Sequence, residues 1–140
     1  MMFIARVLAA FVNSRMNKSG TQVISATAVL VINWTVDAAY GGTDIITNAN
    51  KITIQGAGIK TVTAAVVFTG ATSGWGMSAE IRKNGTLIGT AQSSTATGAT
   101  LNFNIPTISF VSGDTLEVRA SYPGLGSPTI QPTGTFIKVE

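Results

Sequence analysis

No stretch of this chain repeats apolar residues on the 3.6-residue period of a helix, whereas short β-forming runs recur along its length, each cut off by Gly, Asn, Ser or Pro. Such a chain hides its apolar surface by packing sheet against sheet. The alternation is plainest in Leu101-Asn102-Phe103-Asn104-Ile105, which sends Leu101, Phe103 and Ile105 to one face and Asn102 and Asn104 to the other. Leu116, Val118 and Ala120 alternate in the same way with Glu117, Arg119 and Ser121, which predicts a solvated Glu117. Asn84-Gly85 between two runs predicts a two-residue hairpin, because a type I′ turn needs positive φ at both central residues. Ser112-Gly113-Asp114 predicts a second tight turn. Gly41-Gly42 and Gly124-Leu125-Gly126 mark longer loops.

Strands are predicted over 3–12, 22–24, 29–35, 51–55, 61–68, 77–83, 86–91, 101–110, 115–122 and 135–139. About ten short antiparallel strands in one domain, 1–140, are the makings of an all-β jelly-roll sandwich. The segment Asn13-Ser14-Arg15-Met16-Asn17-Lys18 reads as a loop with local positive charge. The apolar opening from Met1 to Val12 is interrupted by Arg6. It is little more than half the roughly 20 residues a membrane span needs, and it lacks the leading cation of a signal peptide. A strand is the expected reading there.

The residues available for chemistry are few. The chain has no His and no Cys, which removes the Ser-His-Asp triad, the Cys-His dyad, histidine or thiolate zinc sites and any disulfide. The acids Asp37, Asp44, Glu80, Asp114, Glu117 and Glu140 show no spacing that would face two carboxylates across a cleft. Asp37 and Asp44 flank a Gly-rich loop and offer oxygen ligands for calcium, although their spacing matches no EF-hand and Asp serves ordinary turns as well. Gly56-Ala57-Gly58 reads as a sharp β-turn, since a nucleotide loop needs a helix after it and 61–68 reads as a strand. No catalysis, no cofactor, no metal and no small-molecule substrate are expected.

Net charge is +3, yet the nine cations are scattered and trace no stripe along a nucleic-acid backbone. Charged residues make up only 11% against 45% hydrophobic, and mean hydropathy is +0.36. A soluble domain carries about 25% charge, so much of this surface is expected to be covered by partners.

Several stretches, in order, resemble the trimeric jelly roll shared by complement globular heads and tumour-necrosis-factor-like ligands, and in particular its stand-alone versions in tailed-bacteriophage virions. They are Arg6-Val7-Leu8-Ala9, Thr21-Gln22-Val23-Ile24, Val31-Ile32-Asn33-Trp34, and Asn50-Lys51-Ile52-Thr53-Ile54 with Gly58-Ile59. They continue with Val62-Thr63-Ala64-Ala65-Val66-Val67-Phe68, Ile81-Arg82-Lys83-Asn84-Gly85, the run from Phe110 to Val118, and Gly134-Thr135-Phe136-Ile137-Lys138-Val139. Lys60 stands where the family usually has an aromatic. The resemblance implies a threefold assembly and no enzyme activity.

On this reading the chain is a homotrimeric bacteriophage capsid decoration protein on the outer surface of the virion, with the major capsid protein as partner. A tail-fibre tip or receptor-binding adhesion module is the alternative. Nucleic acid and membrane are not expected partners. Val66, Phe68, Phe103, Ile105 and Phe110 are the expected trimer-interface residues. Arg15 and Lys18 are the expected capsid contacts. Trp75, Tyr122 and Leu125 are expected in exposed loops as partner contacts, while Trp34, within an apolar run, is expected in the core.

Overall fold

The computed structural model describes residues 9–41 and 50–140. Among these residues there are twelve β-strands and no helix. The first sheet holds β1 (Ser14–Lys18), β2 (Gln22–Val23), β4 (Trp34–Val36), β6 (Gly58–Thr69), β9 (Ala99–Phe110), β11 (Thr129–Ile130) and β12 (Phe136–Val139). The second holds β3 (Val29–Leu30), β5 (Ile52–Thr53), β7 (Met77–Lys83), β8 (Thr86–Ser94) and β10 (Thr115–Ser121).

Two long strands organise these layers. In the first sheet, β6 pairs with β9 along one edge and with β12 and β11, set end to end, along the other. β1 then adds to β12 and β4 to β1. In the second sheet, β10 lies between β7 on one side and β3 and β5 on the other, and β8 closes the sheet beyond β7. Every strand pairing is antiparallel, as a jelly roll requires.

Period two fills the space between the sheets. Val62, Ala64, Val66 and Phe68 of β6 meet Met77, Ala79 and Ile81 of β7 and Leu116, Val118 and Ala120 of β10 in one buried cluster. Each large side chain removed from water there contributes about 1.5–3 kcal/mol. Trp34 joins the cluster, and its indole N–H donates to the Val31 carbonyl at 2.8 Å.

This packing corrects the expected trimer interface. Val66, Phe68, Phe103, Ile105 and Phe110 are all buried inside the single subunit. On β9, Phe103 and Ile105 alternate with polar neighbours, and the subunit's own sandwich takes the apolar face, leaving Asn102 and Asn104 outward.

The local chemistry of the turns carries over. Asn84 and Gly85 both have positive φ, 49° and 81°, and join β7 to β8. The predicted run 29–35 instead breaks in two. Asn33 adopts φ 61° where the chain leaves β3 in the second sheet for β4 in the first, so a strand would have to switch layers without bending. Gly56, at φ 86°, performs the same crossing between β5 and β6. A Cβ there would stand 2.3 Å from the Ala10 carbonyl oxygen, so only glycine fits. The segment read as a loop, 13–18, contains β1, and β11 lies in a stretch with no predicted strand. The predicted strand 3–12 lies outside the described residues up to residue 8, and within 9–12 only Ala10 forms a bridge, to Ala57.

Candidate functional site

Among the described residues, two surfaces are candidates for contact with other molecules. The first is the outer face of the seven-stranded sheet. Pairing register lays Asn104, Thr63, Lys138 and Arg15 in one row across β9, β6, β12 and β1. Asn102, Ala65, Phe136 and Asn17 form the next row. Arg15 stands directly opposite Lys138, a pairing of like charges that costs energy unless each is answered. Each has its own carboxylate. Arg15 lies 3.4 Å from Asp37 and stacks over the Phe136 ring at 4.2 Å, and Lys138 pairs with Glu140. Asp37 also accepts from Asn17 Nδ2 and from the Ala39 N–H, both at 3.0 Å, and these bonds hold its carboxyl below the usual aspartate range. Asp37 is thus a positioning group for Arg15 and a turn. Asp44, the other half of the calcium expectation, lies outside the described residues, and among the described residues no group of three or more potential ligands gathers around a metal position.

The two expected capsid contacts part company here. Arg15 is half-buried on this outer face. Lys18 is not a surface cation. Within β1 it alternates onto the side of Ser14 and Met16, is only 4% exposed, and donates to the carbonyls of Ser19 and Gly20 at 3.0 and 2.9 Å. Burial pushes its ammonium below the ordinary lysine value. Alternation decided this, and it is invisible when 13–18 is read as a loop.

The second surface is one end of the sandwich, where segments 24–28, 70–76, 94–98 and 122–128 meet. The Tyr122 N–H donates to the Ala26 carbonyl, Ala71 N–H to Thr97, and Gly74 N–H to Thr95, so backbone bonds join the segments in two pairs, 24–28 with 122–128 and 70–76 with 94–98. Tyr122 is 1% exposed, which corrects its reading as an exposed anchor. Its ring fills the core, and its hydroxyl accepts from the Thr72 N–H at 2.8 Å and donates to the Leu125 carbonyl at 3.2 Å. Thr72 Oγ1 donates to that same carbonyl at 2.8 Å. Trp75 and Leu125 are exposed as expected, at 44% and 79%. Trp75 is nevertheless held in place. A Cβ added to Gly124 would lie 2.7 Å from the Trp75 Cγ and 2.8 Å from the Tyr122 Cζ, so the glycine backbone fills the gap between the two rings.

The outer face of the five-stranded sheet is occupied internally. Glu117 is 3% exposed, not solvated as its alternation predicts. Arg119 Nε donates to its Oε1 at 2.9 Å, and Lys51 Nζ lies 3.4 Å from Oε2. On β7, Glu80 faces Arg119 and Arg82 faces Glu117, and Glu80 and Arg82 also pair with each other. No sequence signal separates an outward glutamate in water from one roofed by its neighbours. At the far end of the molecule, Lys60 places its ammonium 4.8 Å from the Phe11 ring centre, a cation–π contact.

The two sheets and their all-antiparallel pairing define a class by fold: a two-sheet, all-β jelly roll. By sequence, no family model and no curated protein matches the chain. Solved structures match its fold. Murine APRIL superposes with a TM-score of 0.69 at 12% identity over 93% of this chain and 98% of that one. Eiger TNF from S. frugiperda gives 0.61 at 12% identity, over 92% and 90% of the two chains. The globular domain of zebrafish complement 1qA gives 0.61 at 9% identity, over 92% and 95%. The chain therefore has the jelly-roll fold of tumour-necrosis-factor-like and complement-head domains along nearly its whole length.

Proposed function

We propose that the chain is a non-catalytic structural subunit that assembles as a homotrimer through the outer face of its seven-stranded sheet. One observation carries this reading: the cations of that face, Arg15 and Lys138, are each paired with a carboxylate of the same chain. Identical subunits bring identical charges together, so a face meant to meet copies of itself must be neutral before it meets them. The rest of the face, Asn102, Asn104, Thr63, Ala65 and Phe136, is uncharged and short or flat. Low overall charge and a mean hydropathy of +0.36 point the same way. Sedimentation at micromolar concentration tests the reading. Wild type is expected as a trimer, and the doubly exposed change Asn102→Asp with Asn104→Asp is expected to dissociate it by like-charge repulsion. A stable wild-type monomer overturns the assembly.

The role proposed for the trimer is decoration of a bacteriophage capsid, seated on the major capsid protein at the outer virion surface. Its support is the virion resemblance, the shortage of charge and the lack of a catalytic constellation in the sequence. Bound trimers would stabilise the shell by mass action. Labelling of intact particles is expected over the head, and particles lacking the protein are expected to lose heat resistance. The second reading, a tail-tip recognition module, draws on the exposed Trp75 and Leu125 at one end of the sandwich. Labelling confined to the tail tip selects it.

A further inference from the structure

We infer that the end of the sandwich bearing Trp75 binds the uncharged pyranose ring of a glycan. The inference rests on the geometry of one subunit and stands apart from the assembly and its location. Three observations converge. Trp75 is exposed yet fixed, its ring set against the backbone of Gly124, and loop 70–76 is tied to 122–126 through the Tyr122 and Thr72 hydroxyls. A platform already immobilised loses little conformational freedom when a ligand lands on it. Around it, the segments 24–28, 70–76, 94–98 and 122–128 contain no Asp, Glu, Lys or Arg. They supply instead the exposed hydroxyl residues Ser25, Thr27, Ser73, Thr95, Thr97 and Ser127. Charge gathers at the opposite end, in Lys60, Lys83, Asp114, Lys138 and Glu140.

These features select among ligand chemistries. A charged partner would find no counter-ion here. A protein partner needs about 1,200 Å² or more of total buried surface with an apolar centre, and the four segments offer two large exposed apolar side chains, Trp75 and Leu125, amid glycine and hydroxyls, with Val23 exposed at their edge. A sugar ring matches both halves: its C–H face stacks on an indole, and its hydroxyls exchange hydrogen bonds with Ser and Thr side chains and open backbone.

The two tryptophans make the test direct, because Trp34 is buried and Trp75 is not. Purified wild-type protein is titrated with neutral gluco-, galacto- and manno-oligosaccharides and with sialylated and sulfated counterparts. The readouts are tryptophan emission and its quenching by iodide. At least one neutral series is expected to shift emission to the blue and protect the exposed tryptophan from iodide. Isothermal titration calorimetry, which needs no tryptophan signal, compares wild type with the variants: Trp75→Ala is expected to weaken that binding at least tenfold, with Trp75→Phe retaining part of it. Far-ultraviolet circular dichroism and the melting temperature confirm that both variants are folded. The inference is overturned if no neutral saccharide binds, if only charged saccharides bind, if Trp75→Ala binds as wild type, or if the site proves to be filled by a protein partner that excludes saccharide.

Discussion

Tyr122→Phe removes a single oxygen from the molecule and leaves the buried ring where it is. No cavity forms, so the cavity cost of a large-to-small change does not enter. The hydroxyl has two partners, and they respond differently. The Leu125 carbonyl keeps the bond from Thr72 Oγ1 at 2.8 Å. The Thr72 N–H, which donates to the Tyr122 oxygen at 2.8 Å, loses its acceptor. Orphaning a buried amide costs about 1–3 kcal/mol. Thr72 sits at the surface, where water replaces part of the lost bond, which sets the expectation near the lower end, at about 1–1.5 kcal/mol. A chain of 140 residues unfolds with an entropy of about 0.3 kcal/mol/K, so the melting temperature is expected to fall by about 3–5 °C. Denaturant titration with unchanged slope, at one fixed protein concentration, measures the loss independently of assembly. The same substitution removes the Tyr122 tie between loop 70–76 and 122–126 and leaves the Thr72 Oγ1 bond, so the loop is loosened and iodide quenching of Trp75 is expected to rise. A variant as stable as wild type, with Trp75 no more accessible, refutes the claim that this hydroxyl ties the end of the sandwich together.

Two further changes probe other parts of the fold. Burial works to raise the Asp114 carboxyl, but bonds from Asn84 Nδ2, the Val111 N–H and Lys83 outweigh it and hold the group below the ordinary aspartate value of 3.8. A depressed pKa contributes stability above the unfolded value and loses it as pH falls through the folded one, so acid unfolding below about pH 4 is expected to be shallower in Asp114→Asn than in wild type, as read by denaturant midpoints from pH 5 to pH 2. Thr107 is a β-branched residue at φ 62° at an exposed position of β9, a conformation that Asn tolerates better, so Thr107→Asn is expected to raise stability by about 1 kcal/mol in the same assay; a loss would show that the strain is repaid by contacts of the threonine.

The sequence by itself determined the fold class and most of its grammar. Alternation in 101–105, the Asn84-Gly85 hairpin and the Ser112-Gly113-Asp114 turn depend on local sterics and period two, and each stands in the structure as read. Trp34 in the core and Trp75 and Leu125 at the surface were legible for the same reason. What tertiary structure decided was which face each polar residue meets and what covers it. β1 has one apolar residue, Met16, among polar ones, and it becomes a strand because β12 and β4 flank it. That pairing turns Lys18 inward and Arg15 outward, a distinction that 13–18 taken as a loop does not contain. Glu117 alternates outward as expected, and Lys51 and Arg119 then close over it. The apolar residues expected between subunits lie within one, because a strand's alternation shows that a face is buried and does not name the surface that buries it. That surface is supplied by strands distant in sequence, here β7 and β10 against β6 and β9, and only their three-dimensional meeting fixes it.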